Sequence, residues 1–410
     1  MKILLVARGS QGDIYPYLRL AKELLARSHA VTLNLPRIFE DHAKGQGFNY
    51  TLQGQDDIGG MMENELDTKA LLEWTRRVID NQFSEIVPQL REHDILVASN
   101  TEFAAPSIAE YLKKPCIRTA YGPFIPSRTI PPPVFPWPRP HPLLRPALLW
   151  AILNGGLNMM VKKTLNRNRA ALSMPPIRDQ AKHAPANSIN YLMYSPSLGS
   201  VDPEWPYKWA IGGYIFNDDM PYDQNIYRNF TDFIEKDGKK TIFFTLGSCN
   251  NNDRERFAEK LFGVCRAHGY KLVIGSGWCK LGSSLPRNDD LFLVDSLVPH
   301  KLVFPRCSAI IHHGGIGTTH SAARAGKPQM VVPLFLDQWY WAEQTRKLGT
   351  GPGKVDIKRC SYAQLEKKAL DLLGNEAYAR NAAELGEKIR GENGLENACR
   401  QVEDGIRTQA

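Results

Sequence analysis

Residues 310–326 read IIHHGGIGTTHSAARAG, with three histidines, four glycines and two threonines between an apolar run and a small-residue stretch. Two chemistries compete for that mixture. The metal reading is the weaker. His312 and His313 are adjacent and on a strand would point to opposite faces, and His320 falls on the following helix. No HExxH, neighbouring acid or close cysteine completes a tetrahedral set. The anion reading explains more. A strand (SAIIHH), a tight Gly314-Gly315-Ile316-Gly317 turn and a helix from Thr318 to about Gly326 would bring free N–H groups and the positive helix end to a phosphate. His313 and the hydroxyl of Thr318 would add donors, whereas a plain glycine turn would not call for paired His and Thr. Asp337 and Gln338 follow the next apolar run, so they face the same place. An acid beside an amide suits vicinal sugar hydroxyls; simple capping by Asp337 is the blander alternative. Asp13, in GSQGDIYP, precedes a helix expected to begin near Pro16. It is either a cap or a carboxylate placed to take a proton.

These residues need elements to hold them. KILLVAR, AVTLNLP, DILVAS and INYLMYS in the first half, then TIFFTLG, KLVIGSG, LFLVDS, SAIIHHG and QMVVPLF in the second, are short apolar runs separated by amphipathic stretches. That is a β-α-β rhythm, and continuous apolar runs suit parallel strands covered on both faces. Each half opens alike, with KILLVARGSQGD and KKTIFFTLGSCN. The chain of 410 residues is long enough for two cores. The expectation is two doubly wound α/β domains joined near 217–225, with the ligand between them at strand carboxyl ends. An NAD-type fingerprint is missing, because neither Gly-Ser turn gives a GxGxxG with a following acid. Seven scattered cysteines without a CxxC argue against a disulfide framework and fit a reducing, cytoplasmic compartment. The start MKILLVARGS reads as a strand rather than a signal peptide, and no run approaches a membrane span. The formal net charge of +8 is diffuse. It favours an anionic ligand or a membrane surface, although solvated surface accounts for most of it.

One segment breaks the rhythm. Pro123 to Pro146 holds ten prolines with Phe124, Phe135, Trp137 and three arginines, followed by ALLWAILNGGLNMMVKK. Such a loop must cross the surface or the cleft. It is read either as a wall for an apolar ligand or as a plain loop. The stretch after it is read as a buried helix, with peripheral membrane contact through Lys162 and Lys163 as the less favoured alternative.

LVPHKLVFPRCSAIIHHGGIGTTHSAARAGKPQMVVPLFLDQWYWAEQTRKLGTGPGK resembles the donor-binding signature of the family 1, nucleotide-sugar-dependent glycosyltransferases of the GT-B fold. GSQGDIYPYLRLAKEL is similar to the family's opening segment, SPSLGSVDPEWPYKWAIGGYIF to its approach to the interdomain linker, and FTLGS to the start of its second domain. The nearest branches are sterol glucosyltransferases and bacterial enzymes that glycosylate antibiotic aglycones. The resemblance implies two Rossmann-like domains facing across a cleft: 1–220 binding the acceptor, 221–385 binding the donor, and a C-terminal helix at 386–410 returning onto the first domain. It implies that His313, Gly315, Gly317 and Thr318, with Ser248, hold the diphosphate. The backbone at Val298 would hold the base, with Leu297 where the family often has an aromatic residue. Asp337 and Gln338 would bind the donor sugar, and Phe124 and Trp137 would line the acceptor.

Asp13 would be the general base of an inverting, single-displacement transfer, proton transfer accompanying bond formation because a carboxylate cannot deprotonate an alcohol beforehand. A His–Asp dyad is absent, since Ser99 and Asn100 stand where the second acid would fall. No DxD metal motif is present, so neither metal nor resident cofactor is expected. The partners implied are a nucleotide sugar, UDP-glucose first, and a lipophilic alcohol or phenol such as a sterol, hopanoid, polyketide or flavonoid, with no nucleic acid. A dTDP-deoxysugar transferase is the alternative, and a non-catalytic nucleotide-sugar binder is more remote. Nothing in the sequence sets the oligomeric state.

Overall fold

The computed structural model describes residues 1–54, 68–135, 145–219, 222–247, 249, 251–277, 280–286, 288–295 and 299–407. Two parallel sheets carry the architecture. The first is ordered β3-β2-β1-β4-β5-β6-β7, from Lys2–Val6 (β1), Ala30–Leu35 (β2), Asn49–Leu52 (β3), Ile95–Ser99 (β4), Cys116–Ala120 (β5), Ile189–Leu192 (β6) and Trp209–Ile211 (β7). The second is ordered β10-β9-β8-β11-β12, from Thr241–Thr245 (β8), Lys271–Gly275 (β9), Leu291–Val294 (β10), Ala309–His312 (β11) and Gln329–Val331 (β12). The central strands are buried on both faces, which is why they are uninterrupted apolar runs. Both sheets reverse direction of winding once, between β1 and β4 and between β8 and β11. In such sheets ligands bind outside the carboxyl ends of the strands at that reversal.

Three strands are less visible in the sequence. β3 is short and half-buried, β7 has three residues, and β5 (CIRTA) carries Arg118, which donates to Asn190 on β6 (3.2 Å).

The helices that position the site are Gln11–Ala26 (α1), Thr68–Arg91 (α2), Pro146–Ala171 (α3), Ile316–Arg324 (α4), Gln338–Lys347 (α5), Glu376–Arg390 (α6) and Gly394–Arg407 (α7). Two begin earlier than expected. α1 starts at Gln11, not near Pro16, because Ser10 and Asp13 nucleate it by exchanging hydrogen bonds; Pro16 lies inside it. α4 starts at Ile316, with Gly315 as N-cap, two residues before Thr318. α3 runs unbroken through Gly155-Gly156 and is only partly buried, which corrects the expectation of a buried helix.

α6 packs on α4, whereas α7 lies against α1 and β4–β6. Arg27 pairs with Glu396 and Asn397 donates to the Gly212 carbonyl (2.8 Å). The first core also continues into the second half through Ile316, Ala323, Tyr340, Trp341, Leu385 and Ile389. The six described cysteines, 116, 249, 265, 307, 360 and 399, are free and buried.

Candidate active site

Asp13 lies in the first turn of α1, just past the carboxyl end of β1. Its Oδ2 accepts from the Ser10 N–H (2.7 Å) and the Ser10 hydroxyl (3.0 Å), and the Tyr121 hydroxyl donates to its carbonyl (2.8 Å). The carboxyl retains some solvent access, but protein packs round most of it. Burial pushes its pKa above the ordinary carboxylate value, and the two Ser10 hydrogen bonds partly restrain the rise. Gly9 makes this arrangement sterically open: φ is +140°, and a Cβ there would meet Asp13 Oδ2 at 2.3 Å. Oδ1 takes no hydrogen bond from any described residue.

On the facing side, β11 pairs with β8 so that His312 lies opposite Thr245, and the chain then turns into α4. His312 is structural. Gly314 N–H donates to its Nδ1 (3.0 Å), so Nε2 carries the proton and donates to Gln329 Oε1 (2.9 Å). His320 is likewise committed: Ser195 N–H donates to Nε2 (3.1 Å), and Nδ1 donates to the Ile316 carbonyl (2.9 Å). The three histidines therefore do not converge on a metal, and among the described residues no His, Cys, Asp and Glu cluster of three could hold one.

His313 is different. It is 8% exposed, and its Nδ1 is buried without a hydrogen-bond partner. Gly247 and Gly315 flank its ring so closely that a Cβ at either would strike it, at 2.7 Å from Cε1 and 2.3 Å from Nε2. Burial, with help from His312 and His300, pushes its pKa down to about 3, so the ring is neutral near pH 7. Beside it the first N–H groups of α4 have no intrahelical acceptor, and Gly315 and Gly317 are partly accessible while Thr318 is buried. An oxyanion placed there meets neutral N–H and O–H donors and a helix N-terminus.

Asp337, just before α5, completes the cleft. Its Oδ2 accepts from Trp341 Nε1 (2.9 Å). Burial first, then the charge of Asp13 across the gap, raises its pKa to about 7. The two carboxyl groups, one from each half of the chain, are thus near enough to repel, and Tyr214, whose hydroxyl borders Gly317 at the start of α4, feels Asp13 in the same way. Gln338 behaves otherwise than as a free sugar ligand. Its Oε1 accepts from Leu334 N–H (2.7 Å) and Phe335 N–H (3.2 Å), and Nε2 reaches Cys249 Sγ (3.4 Å). It holds the loop in which Leu336 adopts φ +49° immediately before Asp337. Phe124, three residues beyond Tyr121, is half-buried and packs against the first core. Ser248, Val298 and Trp137 lie outside the described residues.

Three aromatic residues were not visible as site residues. Tyr121 buttresses Asp13, Trp341 holds Asp337, and Tyr214 stacks on His320 (4.9 Å), with its hydroxyl 2.9 Å from where a Cβ on Gly317 would be. Each comes from a distant segment without a local pattern. Tyr214 does fall within GGYIF, in a stretch whose pattern marks only the approach to the linker.

Two sheets that both reverse at the same cleft, with the last helix crossing back to the first, define the GT-B class of fold. Residues 277–397 match the model of the erythromycin biosynthesis protein CIII-like C-terminal domain. The chain is 28% identical to O-mycaminosyltylonolide 6-deoxyallosyltransferase of Streptomyces fradiae, over 100% of this chain and 98% of that one. It is 26% identical to a sterol 3-beta-glucosyltransferase of Yarrowia lipolytica over 98% of its own length, and spans 28% of that longer protein. The glycosyltransferase VinC, solved with dTDP, superposes with a TM-score of 0.71 at 16% identity, covering 99% of this chain and 100% of that one. These comparisons support the resemblance to the family 1 glycosyltransferases.

Proposed function

We propose that this protein transfers a hexose from a nucleotide diphosphate sugar, UDP-glucose first, to a hydroxyl of a lipophilic acceptor, with inversion and without a metal. The observation that carries the reading is the pairing across one cleft of Asp13, with a free carboxylate oxygen, and the neutral donor cradle at His313 and α4. The acceptor oxygen attacks the anomeric carbon from the Asp13 side as its proton passes to the carboxylate. The bond from that carbon to the β-phosphate oxygen breaks on the other side. Charge growing on the leaving diphosphate meets the N–H groups of α4, Thr318 and His313. The raised pKa makes Asp13 a stronger base than an exposed carboxylate. Asp337, titrating near 7, can accept from or donate to a sugar hydroxyl.

The relatives transfer different sugars to different acceptors, a glucose to a sterol and a deoxyallose to a macrolide precursor by their names. A dTDP-deoxysugar is therefore the second reading, supported by the dTDP complex of the VinC neighbour. Calorimetric titration with UDP, UDP-glucose, dTDP and dTDP-sugars, with and without EDTA, separates them. Metal-independent binding that prefers UDP-glucose is expected. Preference for dTDP selects the second reading, and no nucleotide binding overturns both.

A further inference from the structure

α3 is apolar on both sides, yet the described residues cover only one. Val161 and Leu165 are buried in a core with Ile79, Phe83 and Ile86 of α2, and Leu149 and Trp150 are buried as well. On the opposite side Leu148 is 47% exposed, Ile152 55% and Met159 79%. Ala147, Ala151 and Gly155 are exposed beside them. At 3.6 residues per turn, positions 148, 152, 155 and 159 fall within one stripe about 60° wide and roughly 17 Å long. Lys162 and Lys163, both exposed, continue it by one turn. A Cβ added at Gly155 or Gly156 would meet nothing within 4 Å. A helix apolar all round is normally enclosed by protein or lipid, and exposed apolar patches mark interaction surfaces.

The stretch of sequence that carries this stripe has charge of one sign. Between Tyr111 and Arg178 the sequence carries eleven Lys or Arg and no Asp or Glu, more than the net +8 of the whole chain, so the remainder is net acidic. Some of these cations are committed, Arg169 to Glu110 (2.8 Å) and Arg167 to Asp80 (2.5 Å). Lys162 and Lys163 have no ion pair with any described residue. A second copy docked through its own α3 would offer the lysines no acid from that helix, because α3 has none. No helix among the described residues is long and apolar enough to cross a membrane, so contact with lipid would be in the plane of the surface.

We propose that the exposed face of α3 docks the protein on an anionic lipid bilayer. Leu148, Ile152 and Met159 sink to the headgroup–acyl boundary while Lys162 and Lys163 meet lipid phosphates. This goes beyond the transfer reaction and does not rest on it. The Trp150 indole, which donates to the Ile130 carbonyl (2.8 Å), ties α3 to the segment that carries Phe124, so the docked face is joined to the first domain's side of the cleft.

The test is co-sedimentation of the full chain with vesicles of phosphatidylcholine alone and with about 30% phosphatidylglycerol. Binding to the anionic vesicles is expected, weakening as salt rises. K162A/K163A is expected to weaken it roughly 25-fold, about fivefold per lysine, and I152E/M159E to abolish it with an unchanged melting temperature. Failure to bind anionic vesicles, or binding that I152E/M159E leaves unchanged, overturns the proposal. So does a concentration-dependent dimer in sedimentation velocity that I152E/M159E dissolves, which would make a second copy the occupant.

Discussion

The carboxyl of Asp13 divides its work between two oxygens. Oδ2 is held by Ser10 and begins a helix, while Oδ1 takes no hydrogen bond from any described residue and is the oxygen that the proposed transfer would use. Capping and catalysis, which compete as readings of the sequence, are compatible in the fold. The histidines of the second domain divide in the same way. His312 and His320 are locked as single neutral tautomers by protein groups, whereas the buried Nδ1 of His313 makes no such bond. Burial pushes His300 and His312 down to about 4 and His313 and His320 to about 3. A depressed histidine pKa contributes stability that is full above the unfolded value near 6.5 and is lost as pH falls toward the folded value. Each such group costs about 1 kcal/mol over the first unit below 6.5. Asp337, raised to about 7, works in the opposite sense and offsets one of the four. Urea midpoints should therefore fall between pH 7.5 and 5.5; a flat profile would contradict buried neutral imidazoles. Asp13 and His313 were legible because each sits within its own chemistry-bearing motif. Tyr121 and Trp341 were not, because what they do depends on residues that only folding brings near.

α4 works because of the glycines before it. Gly315 has φ −60° and ψ 143°, which any residue can adopt, so its smallness serves only the His313 ring. Gly315→Ala should displace that ring and lose a hydrogen bond to a charged group, weakening UDP binding by about tenfold or more. The melting temperature should change little. Gly326→Ala is the contrasting variant: with φ +67° it should lower stability and leave nucleotide affinity intact. Equal affinity of Gly315→Ala and the parent chain would remove His313 from the cradle. The strands around α4 were plain in the sequence because central parallel strands are continuous apolar runs. The starts of α1 and α4 were misplaced by two to five residues, since Pro16 and Thr318 look like first-turn residues and a glycine cap carries no side-chain signal.

At the scale of the molecule, the two halves are sewn together beside the cleft. Tyr194 meets Trp341 edge-on (5.7 Å), Ser200 N–H donates to the Tyr340 hydroxyl (2.6 Å), and the Ser195 and Ser197 hydroxyls donate to Glu392 (2.7 and 2.9 Å). The linker adds a strut to each side. Asp219 faces Arg19 of α1 (3.4 Å), and Asp218 holds Arg324 of α4 by two bonds (2.8 and 2.6 Å). In the sequence this stretch reads only as the join near 217–225; its role as a brace depends on arginines that lie more than a hundred residues away from it on either side. In the proposed reaction this stitching would let a carboxylate from one half and a phosphate cradle from the other act on one molecule, with the proton taken on one side and the leaving charge held on the other. The most direct test is Asp13→Asn measured twice, by calorimetric donor binding and by transfer to a lipophilic acceptor under saturating donor. The account predicts unchanged donor affinity with transfer lost by at least about 100-fold. Transfer at the parent rate would contradict it.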